Sequence, residues 1–369
     1  MKRKKYLFIV PSLSKGGAER VVSVLASELT KKERDAVIVT HFWADEEYPV
    51  CDNVKIVCLS ELNEKDYKKK ISIIYLIKLA RMLRKAIIQQ EPDYILPFLW
   101  TTCIRTDLAL LGLKLKGRVI QTVRNNPEVF PENRVMKKYR NILVKKSNLT
   151  IVQNEQQKHY FPEKHWKKIK VLLNPVSSSL FQVKRHENKA QFNIVGVGRL
   201  EKQKNFDLLI DAIADVLSKY TNIKLCIYGE GSMKKELQAH IDRMNLEQQV
   251  VLKGRSSDYE EIYGTASLFV LSSNFEGMPN TLLEAMAVGL PCISTNCPTG
   301  PSDIIQSGKN GILVPVGNKE KLSKAIETLI QDKELRNHMG MAAKQTILLQ
   351  YTPEKITQQL IDICENNRK

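Results

Sequence analysis

Short apolar runs followed by longer amphipathic stretches recur along the chain. KYLFIVPSLSKGGAERVVSVLASELT has this form, as do YILPFLWTTCIRTDLALLGL, FNIVGVGRLEKQKNFDLLIDAIADVL, IKLCIYGEGSMKKELQAHI and ASLFVLSSNFEGMPNTLLEAMAVG. The apolar runs are continuous rather than alternating, as in strands covered on both faces. Strand then helix, repeated, predicts an α/β protein with parallel sheets and helices on both sides. The rhythm fails in KVLLNPVSSSLFQVKRHENKAQFNIVGVG, where Asn174-Pro175, three serines and a polar run precede a new first strand near Phe192. Two doubly wound domains joined by a hinge are therefore expected, at 1–176 and 177–350.

Composition agrees with two domains, since 369 residues at 43% hydrophobic exceed one ordinary core. Charge adds an asymmetry. Met1 to His186 holds 36 Lys and Arg against 18 Asp and Glu, whereas the remainder holds 21 against 22. A basic half implies an anionic partner: nucleic acid, a lipid surface or a phosphorylated substrate. The seven cysteines show no CxxC pair, which argues against a zinc site and fits a reducing compartment. The apolar run Tyr6 to Val10 is too short for a signal peptide, and no stretch approaches the roughly 20 apolar residues of a membrane span. A cytoplasmic protein is expected.

Ligands of open parallel sheets bind beyond the carboxyl ends of the strands, where helix N-termini favour anions. Gly16 and Gly17 precede the first amphipathic helix and allow close backbone approach, although the segment lacks the dinucleotide fingerprint GxGxxG. A tight turn explains the pair equally well. After FNIVGVG come Arg199 and Lys204, two cations at the next helix start that are suited to a diphosphate and to the charge growing on it as it leaves. In SLFVLSSNFEGMPNTLLEAMAVGLPCIST, Glu276 falls in a loop and Glu284 in the early turns of a helix spanning 279–288, with Asn280 or Thr281 near its cap. Carboxylates there accept hydrogen bonds from paired hydroxyls, and the backbone of Gly277, Met278, Pro279, Asn280 and Thr281 offers N–H groups to the same ligand.

VGRLEKQKN followed by SNFEGMPNTLLEAMAVGLPCISTNCPTGPSDIIQSGKNGILVP resembles the donor half of family-four retaining glycosyltransferases, and GGAER resembles the family's N-terminal domain. The resemblance implies the GT-B fold, two Rossmann-like domains facing across a cleft. It also implies transfer from a nucleotide sugar with retention, without a metal or other cofactor. By position, Arg199 and Lys204 would hold the diphosphate, Glu276 the sugar hydroxyls and Glu284 the ribose, with 277–281 closing around the donor and Gly17 approaching it from the other domain. YTPEKITQQLIDICENNRK would return as a helix, about 351–369, to the N-terminal domain. One departure is Arg124, in VIQTVRNNPEVF, where many members carry a histidine; it is expected to contact acceptor or donor sugar electrostatically. The CPTGPSDII loop resembles bacterial polysaccharide enzymes that use UDP-sugars.

DYKKKISIIYLIKLARMLRKAIIQQ, from Asp66 to Gln90, reads as a basic amphipathic helix of the kind that lies on anionic lipid. Basic clusters at Lys137-Lys138-Arg140, Lys145-Lys146 and Lys164 to Lys170 point the same way. The expectation is a peripheral enzyme on the inner face of the cell membrane, glycosylating a lipid-linked saccharide in capsule, O-antigen or related synthesis. Two other functions would leave different marks. A nucleotide-sugar 2-epimerase of the same fold would convert donor without acceptor. A nucleic-acid binder would show a recognisable basic-aromatic or helix-turn-helix module, and none is present, so nucleic acid is not an expected partner.

Overall fold

The computed structural model describes residues 3–14, 16–67, 72–186 and 190–366. The chain divides into two compact units, Met1–Pro175 with Pro353–Lys369, and Val176–Thr352. The boundaries expected from the sequence, 1–176 with 351–369 and 177–350, differ from these by one or two residues.

In the first unit, β1 (Lys5–Val10), β2 (Asp35–Thr40), β3 (Lys55–Cys58) and β4 (Tyr94–Pro97) form a parallel sheet in the order β3-β2-β1-β4. A bridge from Ile95 to Val119 leads on to β5 (Ile120–Thr122), β6 (Leu149–Val152) and β7 (Ile169–Val171), also parallel. Strand residues alternate between two layers. Tyr6, Phe8 and Val10 pack on the helices Gly17–Lys31 and Pro353–Asn366, while Leu7 and Ile9 pack on Ile73–Gln90. The C-terminal helix is thus part of this core through Ile356, Leu360 and Cys364, and its Glu365 accepts a hydrogen bond from Tyr6 Oη (2.9 Å) and pairs with Arg34 (3.1 Å).

The second unit has one six-stranded parallel sheet in the order β10-β9-β8-β11-β12-β13. Its members are β8 (Phe192–Val197), β9 (Ile223–Tyr228), β10 (Val250–Gly254), β11 (Leu268–Leu271), β12 (Cys292–Thr295) and β13 (Ile312–Val314). Both sheets reverse direction of growth at a central strand, β1 with β4 and β8 with β11, which opens a crevice at the carboxyl ends of those strands.

The expected single helix from Asp66 to Gln90 is not what forms. A short helix spans Glu64–Tyr67, and the long one begins at Ile73, where Ser72 Oγ accepts the Tyr75 N–H at 3.1 Å. Lys68, Lys69 and Lys70 lie outside the described residues.

Candidate active site

The crevice of the second unit is built by two loops stitched together. The first follows β8. Gly198 sits directly beneath the Lys204 side chain, and a Cβ at 198 would lie 2.8 Å from Lys204 Cε, so only glycine lets that side chain lie back across the strand end. The second loop follows β11. Asn274 N–H donates to the Gln203 carbonyl (2.8 Å) and its Nδ2 to that of Lys202 (2.8 Å). Gln203 Nε2 donates to the Phe275 carbonyl (3.0 Å) and Ser272 Oγ to that of Lys204 (2.8 Å). Asn205, in the left-handed region at φ 48°, reaches Asn274 with its own amide (3.0 Å).

This frame brings Lys204 Nζ to 2.7 Å from Glu276 Oε1, with only 12% and 7% of the two side chains exposed. Ser273 Oγ donates to the same oxygen at 2.6 Å. Arg199 is exposed beside them, and its guanidinium donates to Gln203 Oε1 at 3.0 Å. The sequence reading treated cation and carboxylate as separate ligand contacts, whereas they form one buried pair. The charge also reaches Cys297, whose thiol is pushed up to about 12 by burial and by Glu276 nearby.

Glu276 leads through Gly277 and Met278 into the helix Asn280–Ala287. Its N-cap is Pro279, which has no side-chain acceptor, and Asn280 and Thr281, expected near the cap, are its first two helical residues. The first-turn N–H groups therefore receive no side-chain cap, the usual condition for binding an anion at a helix start. Glu284 lies one turn in and is buried, its Oε2 accepting the Tyr263 hydroxyl at 2.9 Å. It is a buried, hydrogen-bonded acid, not one on a solvated helix surface. Gly289, at φ 79°, closes the helix.

Several supporting residues escaped the sequence reading. Thr299 adopts φ 63° and donates its hydroxyl to the Glu276 carbonyl, and Gly300 at φ 91° follows. A Cβ at 300 would stand 2.7 Å from the Gly277 carbonyl and 2.9 Å from Pro279 Cδ. The 299–300 turn thus braces the donor loop from behind. Gly229 and Gly231 do the same beneath Gly198 and Leu200, where a Cβ would meet the carbonyls at 1.8 and 2.3 Å. Glu201 accepts from Ser232 N–H and Oγ, and these bonds lower its carboxyl pKa. The legible signals were YGEGS and the TGP triplet, whose glycines mark close backbone contacts.

The remaining expected site residues belong to the first unit. Gly16 caps the helix Gly17–Lys31, but the space its missing side chain leaves is taken by the chain's own Glu19, whose carboxylate would lie 2.3 Å from a Cβ there. Arg124 follows β5. It donates to Asn174 Oδ1 beyond β7, and its guanidinium carbon lies 5.1 Å from the Phe98 ring centre. Burial without a carboxylate partner pulls its pKa down to about 9, so it stays cationic at neutral pH. His41 lies just beyond β2. It is fully buried, accepts from Arg105 through Nδ1 (2.8 Å), and burial next to that cation lowers its pKa to about 3.

The chain is similar to several known proteins. Residues 179–346 match the family described as glycosyl transferases group 1. An α-1,4-N-acetyl-D-galactosaminyltransferase of Campylobacter jejuni, named for a GalNAc-GalNAc-diNAcBac-PP-undecaprenol substrate, is 28% identical over 92% of this chain and 93% of its own. The amylovoran biosynthesis glycosyltransferase AmsD of Erwinia amylovora is 26% identical over 97% and 99%. Among solved structures, Anabaena HepE in complex with UDP and glucose superposes with a TM-score of 0.79 at 18% identity, covering 98% of this chain and all of that one.

Proposed function

We propose that this chain, whose residues 179–346 match the group 1 glycosyltransferases, is a glycosyltransferase with the GT-B fold that moves a hexose or N-acetylhexosamine from a UDP-sugar to a lipid-linked saccharide during cell-surface polysaccharide synthesis. The observation that carries the site assignment is the buried Lys204–Glu276 pair, held at the strand ends beside an uncapped helix N-terminus. In this reading the donor diphosphate lies against Arg199, Lys204 and the start of Asn280–Ala287. Glu276 takes the hydroxyls of the sugar and Glu284 those of the ribose, with Gly277 to Thr281 around them.

Charge develops on the β-phosphate as the sugar's C1–O bond breaks. Lys204 and the exposed Arg199 stabilise that charge, and the nearly buried Lys204 is worth more there than a cation in solvent. The acceptor oxygen then attacks C1 from the same face as the departing phosphate, which takes the acceptor's proton, so the anomeric configuration is retained. In this scheme the positive charge comes from side chains and no metal is needed.

The test is turnover of UDP-sugars with a diphosphate-linked saccharide acceptor, with and without EDTA, followed by assignment of the product's anomeric configuration. Retained configuration and EDTA-insensitive turnover are expected. Inversion, or loss of activity in EDTA that added metal restores, would overturn the corresponding step. Conversion of the donor to its 2-epimer without acceptor would favour the epimerase instead. Among the described residues no helix is long and apolar enough to cross a membrane. We place the enzyme peripherally on the inner membrane face through its basic first unit.

A further inference from the structure

Three helices of the first unit, Ile73–Gln90, Trp100–Ala109 and Arg134–Lys146, lie side by side on one face of its sheet. The inward side of Ile73–Gln90 is ordinary core: Leu79, Leu83, Ala86 and Ile87 are buried against Leu7, Ile9 and their neighbours. Its outward side is not ordinary. At about 100° per residue, Ile74, Ile77, Lys78, Arg81, Lys85 and Ile88 fall on one stripe, and all six are exposed, Ile74 by 81%. No acidic residue occurs in the helix.

Exposed aliphatics continue on the neighbouring helices, and the one acid there, Asp107 of Trp100–Ala109, accepts from Tyr139 Oη at 3.0 Å. Arg84 turns inward and donates to the carbonyls of Ala109 and Leu111 (3.0 and 2.9 Å), fixing the end of Trp100–Ala109 where Leu108 and Leu111 are exposed. Arg134–Lys146 also lacks any acid and shows Val135, 67% exposed, and Ile142 beside Lys138, Lys145 and Lys146. Not all the basic residues of this face are available. Arg140 is buried, bonded to the carbonyls of Pro127 and Phe130, and Lys168 caps those of Lys145 and Ser147.

A merely solvated helix face intersperses acids with its cations and does not collect isoleucines. A protein-binding patch concentrates aromatic residues and excludes lysine. Exposed aliphatics among uncompensated cations match an anionic bilayer, with headgroups pairing the cations and the acyl boundary receiving the isoleucines. We propose that this three-helix face docks on anionic lipid and that Ile74, Ile77 and Ile88 insert into it. The biological sense of the inference rests on a lipid-linked acceptor, but the binding itself does not.

The test is flotation of the full chain with vesicles of 70% phosphatidylcholine and 30% phosphatidylglycerol, at low and at high salt. UDP binding is measured in parallel. Wild type is expected to float at low salt and to keep a measurable fraction at high salt. Ile74→Ser/Ile77→Ser/Ile88→Ser should lower partitioning about tenfold at both salts, and Lys78→Gln/Arg81→Gln/Lys85→Gln should abolish the low-salt gain. UDP binding should be unchanged in both variants, which shows that they are folded and separates this proposal from the transferase reading. Partitioning of the isoleucine variant equal to wild type would overturn insertion, and failure of wild type to float would overturn docking altogether. A wild-type dimer that the isoleucine variant converts to monomer would reassign the face to self-association.

Discussion

The two units share an architecture and differ in where their charge goes. The first holds 37 Lys and Arg against 21 Asp and Glu, the second 20 against 19. In the second, site charges are turned inward and matched: Lys204 with Glu276, and Glu284 under Tyr263. In the first, two buried bases, Arg124 and His41, have no carboxylate beside them, and cations without acids line an outer face. One sheet plan thus serves two tasks. The second unit pairs the charges at its strand ends inside the fold, while the first leaves positive charge on its surface.

The contrast breaks most sharply at the sealed pair. Lys204→Ala should cut turnover by about 10²–10³. It should also destabilise the fold by about 3–5 kcal/mol, because Glu276 is left buried without its counter-charge. Lys204→Met/Glu276→Gln separates the two effects, since a neutral pair of similar size should recover most of the stability and none of the turnover. Urea unfolding beside steady-state kinetics decides the matter, and near-normal turnover in the double variant would make the pair structural only.

A smaller effect is expected behind the donor loop. Gly300→Ala meets both a φ of 91° and a clash 2.7 Å from the Gly277 carbonyl, whereas Gly308→Ala meets a similar φ of 86° with open space around it. The backbone penalty common to both is about 1–2 kcal/mol. Only Gly300→Ala should also weaken UDP binding by calorimetry. Equal UDP affinity in the two variants would show that the 299–300 turn does not position the donor loop.

Much of this was readable beforehand. The strand-helix rhythm, the break after Asn174 and the E-x7-E spacing are local patterns, and local patterns survive in one dimension. What stayed hidden depends on distant residues. Glu276 meeting Lys204 spans 72 positions, and Gly300 against Gly277 is a contact between consecutive loops. The charge clusters were visible, but not which members point inward: Arg84 and Arg140 are spent on backbone carbonyls. The start of the long helix at Ile73, after its extended Ser72 cap, was hidden by continuous amphipathic patterning.

In the first unit, acid sensitivity should trace to His41. Its folded pKa near 3 lies below the ordinary 6.5, so the unfolded chain binds the proton first and stability falls as pH drops below about 6.5. Between pH 7 and 5 the loss is about 2 kcal/mol from this group alone. His41→Gln should flatten that part of the urea-midpoint profile, and an unchanged slope would acquit the histidine.

The smallest expected effect lies where the returning C-terminal helix meets the first sheet. Burial alone would raise the Glu365 carboxyl pKa, but the Arg34 guanidinium and the Tyr6 hydroxyl outweigh it and hold the value below the ordinary 4.5. A carboxyl held low stabilises the fold above its unfolded pKa and loses that contribution as pH falls through the folded one. Tyr6→Phe removes one donor to a charged acceptor and should cost about 1–2 kcal/mol at pH 7, with a smaller difference from wild type at pH 3. A difference that does not shrink in acid would mean that Tyr6 acts through packing on Tyr94, 4.8 Å away between ring centres, rather than through its bond to Glu365.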